Sequence, residues 1–328
     1  MSSSVAPKKD DSQLVLNSAL ERLRARVWGQ EAATELALTT LLAGGHLLLE
    51  GPPGVGKTTL ARELALLFDG TFSRVQMTSD LLPGEIVGVI RPALGGREFE
   101  FRQGPIFANI VLADELNRTS PKTQAALLEA MAEGCVTVDG RTHALPHPFF
   151  VIATQNPLES HGVYPLAESQ LDRFMLEVTM DLPAEQDELR LYQSTRQGER
   201  RETKLELVEG GAAKSRPMFT VAELNSLREA AQKTFLENSL LTYAFELVKK
   251  TRVRPDISGG VSVRAGLQFL SAVRAIAYLR GRDFVTPKDV QDLAVPVLAH
   301  RLRLEGIWEM APKRNIILEI LRETPVPK

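Results

Sequence analysis

One stretch of this sequence restricts the fold more than any other. Gly51-Pro52-Pro53-Gly54-Val55-Gly56-Lys57-Thr58 matches the pattern G-x-x-x-x-G-K-[ST] at every fixed position. It follows the apolar run His46–Glu50 and precedes a helical run over Thr59–Phe68, so strand, turn and helix are expected in that order. Glycines let backbone N–H groups curl around a phosphate without Cβ clashes. The start of the following helix adds unpaired donors and a partial positive charge. Lys57 is then placed to bridge β- and γ-phosphates, and the Thr58 hydroxyl to ligate Mg²⁺. The pattern predicts a nucleotide phosphate site.

Four more short apolar runs follow, at Phe72–Met77, Asn109–Ala113, Phe149–Thr154 and Phe174–Val178. Helical or turn-rich sequence separates them, which predicts a parallel sheet with helices on both faces. Helical spacing precedes the first strand, over Leu14–Arg26 and Glu31–Leu42. Two interruptions read as hairpins. Gly95-Gly96 lies beside the alternating Glu98-Phe99-Glu100-Phe101, and Asp139-Gly140 splits Cys135–Ala144. Between them Ser120-Pro121 opens a helix that Gly134 closes. No strand is expected after about residue 182, whereas Thr220 with Glu223 forms a capping box and Thr286-Pro287 opens another helix. The expected layout is a flexible tail over 1–13, a nucleotide-binding core over 14–182, a connecting segment over 183–217 and a small all-helical domain over 218–328.

Composition narrows the class. The 328 residues carry 39 Lys plus Arg against 41 Asp plus Glu, a formal net charge of −2. That balance argues against a polybasic nucleic-acid or membrane binder. Arg252, Arg254, Arg301 and Arg303 read as solvated helix faces rather than a nucleic-acid patch. With 44% apolar residues the chain can build a sizeable core. No apolar run is long enough to cross a membrane, and the first residues show no secretory signal. The single cysteine, Cys135, points to a reducing cytoplasm as the default. The five histidines show no ligand spacing, so no catalytic metal other than Mg²⁺ is expected.

A strand ending in a carboxylate is the natural second half of a phosphate site, and Ile110-Val-Leu-Ala-Asp114-Glu115 supplies two. Asp114 suits Mg²⁺, and Glu115 suits the polarising of an attacking water, which favours hydrolysis over transfer to a bound acceptor. Asn156 follows an apolar strand, at the edge where α/β sheets bind ligands.

Taken with Ala153-Thr-Gln-Asn156-Pro and Leu171-Asp-Arg173-Phe, these motifs resemble AAA+ ATPases. Gly104-Pro-Ile-Phe-Ala-Asn, Ala113-Asp-Glu-Leu-Asn-Arg-Thr-Ser-Pro-Lys122, Gln124-Ala-Ala-Leu-Leu-Glu-Ala-Met131 and Tyr164-Pro-Leu-Ala-Glu-Ser-Gln-Leu-Asp-Arg-Phe174 narrow the resemblance to the MoxR family. It spans roughly Val27 to His300. The resemblance implies an αβα core with a five-stranded parallel sheet, two hairpin inserts and an all-α lid. It implies ATP and Mg²⁺ as ligands, with Gly51 to Thr59 around the phosphates and Thr58 and Asp114 on the metal. Asn156 would be sensor 1, Arg173 the arginine finger that reaches a neighbouring subunit, and Arg264 sensor 2 on the lid, with Val263 where the family pattern has proline. Val27, Gly29 and Gln30 would line the adenine pocket. Arg118 fits an inter-subunit contact and a local ion pair equally well.

The resemblance further implies a homo-oligomer, a hexameric ring, and a chaperone-like role in remodelling or maturing a protein client. Metal cofactor insertion and a von Willebrand factor A domain partner belong to the same expectation. Two other readings stay open on the residues, a nucleic-acid-directed motor and a chelatase-type ATPase subunit.

Overall fold

The structure, a computed structural model, describes residues 9–93, 99–156, 162–196, 217–306 and 309–327. In chain order the elements are α1 (Lys9–Arg26), α2 (Glu31–Ala43), β1 (Leu47–Glu50), α3 (Lys57–Ala65), β2 (Phe72–Gln76), α4 (Pro83–Val87), β3 (Gly88–Pro92), β4 (Phe99–Gln103), β5 (Ile110–Asp114), α5 (Pro121–Glu133), β6 (Cys135–Val138), β7 (Arg141–Ala144), β8 (Phe150–Gln155), α6 (Glu168–Leu171) and β9 (Leu176–Thr179). After these come α7 (Glu185–Arg196), α8 (Val221–Gln232), α9 (Asn238–Val253), α10 (Val263–Leu279), α11 (Pro287–Leu298) and α12 (Met310–Glu323). Five strands form one parallel sheet in the order β2-β5-β8-β1-β9.

The central strands are buried on both faces, as continuous apolar runs in parallel sheets must be. Side chains alternate between faces. Leu47 and Leu49 of β1 join one core with α1, α2, α3 and the helical domain, whereas Leu48 joins a second core with Ile86, Leu127 and Leu128 on the other face. The two expected hairpins are the antiparallel pairs β3–β4 and β6–β7. The glycine turn of the first, at Gly95-Gly96, lies outside the described residues. Caps read from sequence are in place: the Ser120 hydroxyl accepts from the Thr123 N–H, and Thr220 and Glu223 bond reciprocally.

Several boundaries differ from expectation, each for a tertiary reason. The tail expected over 1–13 is helical from Lys9, because the start of α1 docks on the lid. There the Gln13 amide donates to the Leu279 carbonyl at 2.9 Å, and Ser12 is buried. The helix after the phosphate loop stops at Ala65 rather than Phe68. Residues beyond it join core to lid, with Met218 N–H donating to Leu67 O and Phe68 stacked on Phe219. The last strand begins at Leu176 rather than Phe174, and the expected connector holds α7, whose acidic first turn suits a helix start. The remainder of that connector, 197–216, lies outside the described residues.

Of the four arginines expected on solvated helix faces, Arg252 and Arg303 are exposed, whereas Arg254 and Arg301 are structural clamps. Arg301 is 5% exposed. It donates to Asp172 Oδ1 at 3.0 Å, to the Met175 and Phe174 carbonyls at 3.1 and 2.6 Å, and to the Val297 carbonyl and the Gln268 side chain. Burial pulls its guanidinium down to about 10 despite the Asp172 charge. Arg254 is forked onto Asp256 and Glu319. Neither is spare for a phosphate backbone.

Candidate nucleotide site

Parallel strands put all their C-terminal ends on one rim of the sheet, and that rim collects most of the expected site. The loop Gly51–Gly56 leaves β1, Asp114 ends β5 with Glu115 next, and Asn156 follows β8. These three strands are adjacent. A Cβ at Gly51 would lie 2.2 Å from the Met180 carbonyl oxygen, so only glycine lets the loop pass the end of β9. Gly56 caps α3 at φ 98°, a left-handed conformation that turns the loop into the helix. Lys57 Nζ donates to the Gly51 and Pro52 carbonyls, so its charge sits over the loop.

Asp114 is held from several sides. Its Oδ1 accepts from the Thr154 hydroxyl at 2.7 Å. Its Oδ2 lies 3.4 Å from Thr58 Oγ1 and accepts from Arg74 Nε and Nη2 at 3.1 and 2.7 Å. One hydroxyl and one carboxylate beside a phosphate loop form the sparse oxygen set that suits Mg²⁺, which keeps waters and takes phosphate oxygens for its other ligands. No group of three or more His, Cys, Asp or Glu able to hold a metal occurs among the described residues.

Glu115 has φ 60° and ψ 50°, a left-handed conformation rare outside glycine and costly unless the surroundings impose it. Its N–H donates to the Thr154 hydroxyl, and its carboxylate accepts from Gln76 Nε2 at 2.9 Å. Thr154 therefore aligns both acidic residues. Arg118, left between two readings by the sequence, makes the local ion pair, with its Nε 3.3 Å from Glu115 Oε2. Asn156 is buried.

The expected adenine segment also reaches this rim. Val27 lies against Gly56, Gly29 closes on Pro183, and Gln30 Nε2 donates to the Asp181 carbonyl at 2.6 Å.

Arg173 and Arg264 do not join this group in the same chain. Arg173 lies three residues before β9 begins, on the opposite rim, and its Nη1 donates to the Leu128 carbonyl at 2.6 Å. Asp172, its obvious partner in sequence, is taken by Arg301 and Ser262. Ser262 caps α10 through the Ala265 N–H, so a serine cap opens this helix with Val263 in the first turn. Arg264 sits beside His46 and Arg301, adding unfavourable charge to both. His46 immediately precedes β1, so Arg264 is also on the far rim. Four residues of strand, about 13 Å at roughly 3.3 Å per residue, separate that rim from the phosphate loop.

Beside the loop lies a pair of buried acids that sequence reading missed. Glu50, just before Gly51, faces Glu177 of β9, and Arg314 of α12 bonds Glu177 at 3.3 Å and the Thr179 hydroxyl. Burial, and then the Glu50 charge, raise Glu177 to about 8 against the pull of Arg314. A carboxyl raised above its unfolded value binds its proton more tightly when folded, so it removes stability as pH climbs from the ordinary carboxylate range to about 8. Glu177→Gln is expected to flatten that part of the profile and to raise the urea midpoint near pH 8. Urea titrations of both proteins between about pH 5 and pH 8 check this; parallel profiles would refute it.

A phosphate loop on this sheet order, an acidic pair two strands away at the same rim and a helical domain behind it define an AAA+ ATPase. Comparison with known proteins agrees. The family described as "ATPase family associated with various cellular activities (AAA)" matches residues 46–176, and the AAA lid domain matches 249–320. Chaperone MoxR1 of Mycobacterium tuberculosis is 37% identical over 95% of this chain and 82% of its own length. Protein MoxR of Paracoccus denitrificans is 31% identical, covering 93% and 94%. The Bacillus subtilis protein YeaC is 43% identical over 97% of each. A crystal structure from Cytophaga hutchinsonii superposes with a TM-score of 0.82 at 33% identity, covering 98% of both chains. The chain belongs to the MoxR family of AAA+ ATPases.

Proposed function

We propose that this protein hydrolyses ATP at the interfaces of a homo-oligomeric, hexameric ring and uses the cycle to remodel or mature a partner protein. The observation carrying this reading is the separation of the two rims. Lys57, Thr58, Asp114, Glu115 and Asn156 stand on one, Arg173 and Arg264 on the other. Head-to-tail packing, which closes into a ring, brings one subunit's arginine rim to the next subunit's phosphate rim. The core over 14–182 supplies both rims, and the lid over 218–328 supplies Arg264.

In this reading the N–H groups of Gly51–Thr59 and the Lys57 ammonium bind the phosphates, and Val27, Gly29 and Gln30 flank the base. Thr58 and Asp114 would hold Mg²⁺, which neutralises phosphate charge when bound. Glu115 accepts the proton of the attacking water, and Asn156 orients that water. Arg173 of the next subunit stabilises charge on the transferring phosphoryl group, and Arg264 of that subunit approaches the same phosphates. The name of the M. tuberculosis relative, a chaperone, supports the protein-remodelling role. A von Willebrand factor A domain partner and metal cofactor insertion follow from the family resemblance, and the single cysteine supports a cytoplasmic setting. Among the described residues no helix is long and apolar enough to cross a membrane.

Steady-state ATP turnover per subunit, measured against protein concentration, tests the shared site. Turnover should rise steeply as subunits assemble, and turnover confined to isolated monomers would overturn the reading. Lys57→Ala should weaken binding of a fluorescent ATP analogue by about 10- to 100-fold, the size of a lost charge-assisted bond. Unchanged affinity would put the nucleotide elsewhere.

A further inference from the structure

The oxygen of Asp114 that faces the phosphate loop already has a charged partner. Oδ2 is the atom nearest Thr58 Oγ1, at 3.4 Å, and it is also the atom that takes both N–H bonds from Arg74. Oδ1 is turned away onto the Thr154 hydroxyl. Arg74 lies on β2, an edge strand, with its side chain 49% exposed while that of Asp114 is 9% exposed. The guanidinium therefore reaches in from solvent and can swing back out. The same Nη2 also donates to Gln76 Oε1, whose amide holds Glu115.

We propose that Arg74 is a displaceable counter-ion of Asp114, a positioning residue that competes with Mg²⁺ for Oδ2 and so sets the metal concentration at which nucleotide is held. The inference rests on the proposed reading of the site as one for Mg²⁺ and ATP. A single carboxylate oxygen cannot serve a bidentate guanidinium and a hard cation in the same direction. Removing the guanidinium leaves the Asp114 carboxylate aligned by Thr154 and open toward Thr58. Metal then binds without first breaking an ion pair. Because the pair is half exposed, its loss should shift the metal requirement by about three- to fivefold rather than by orders of magnitude.

The test is a Mg²⁺ titration of fluorescent ATP-analogue binding, with no turnover measured. Wild type, Arg74→Gln and Arg74→Lys are compared, each first checked for an unchanged melting temperature. Arg74→Gln should lower the half-saturating Mg²⁺ about three- to fivefold while affinity in excess chelator stays within about twofold. Arg74→Lys, which keeps charge but not the fork, should fall between. An unchanged or raised Mg²⁺ requirement in Arg74→Gln overturns the proposal. So does a loss of metal-free affinity with the Mg²⁺ dependence intact, since Arg74 would then touch the nucleotide itself. A wild type that binds no nucleotide at any Mg²⁺ concentration would defeat the reading of the site, a failure distinct from that of Arg74 alone.

Discussion

Alanine in place of Arg173 is expected to lower ATP turnover by about 10³-fold, while nucleotide affinity changes little. Among the described residues Arg173 bonds the Leu128 carbonyl, on the rim of the sheet opposite the phosphate loop. Its charge therefore cannot hold nucleotide in cis, and a large effect on rate must come through a neighbour. The alternative is that Arg173 merely braces α5, and two measurements separate these roles. A structural brace predicts a fall in the urea midpoint with turnover per folded subunit unchanged. A finger predicts a collapse of turnover with the midpoint nearly constant. Arg173→Lys sharpens the contrast: a lysine still reaches Leu128 but lacks the planar fork that fits phosphate oxygens, so turnover should stay low. Wild-type turnover in Arg173→Ala would end the shared-site reading.

What the sequence could and could not reveal follows from where each partner lies. The phosphate loop is legible because its chemistry is local: glycines, lysine and threonine act within eight consecutive positions, flanked by strand and helix. Asp114 and Glu115 are legible for the same reason. Arg74 is not, because its partner is 40 positions away and only the β2–β5 register brings them together. Arg301 misleads outright. Next to Arg303 it looks like a solvated helix end, and its burial arises from the carbonyls of Phe174 and Met175 in another domain. The buried Glu50–Glu177 pair defeats pattern reading as well, since acids inside apolar strands look like strand ends until the sheet order makes β1 and β9 neighbours. The start of α1 fails for a similar reason, as Lys9–Gln13 is polar and becomes ordered helix where it meets α10. Contacts distant in sequence, within the core sheet as well as between core and lid, are thus the ones the linear sequence conceals.

Glu115→Gln is expected to cut turnover by about 10²–10⁴-fold, the range of a lost general base, while ATP stays bound. Glutamine keeps the shape, so the left-handed backbone at 115 and its bond to Thr154 should survive and the loss should be chemical. Undiminished turnover would remove Glu115 from the mechanism. The variant gains force when mixed with Arg173→Ala. Each alone should be nearly inactive. In a randomly mixed ring an Arg173→Ala subunit still supplies an intact Glu115, and an adjacent Glu115→Gln subunit still supplies an intact Arg173. About one interface in four then carries a complete site, and turnover should recover toward that fraction after subunits exchange. Two lesions in one self-contained site cannot complement each other in this way. Recovery on mixing therefore demands that Glu115 and Arg173 act from different chains, and its absence after proven exchange would place both in one.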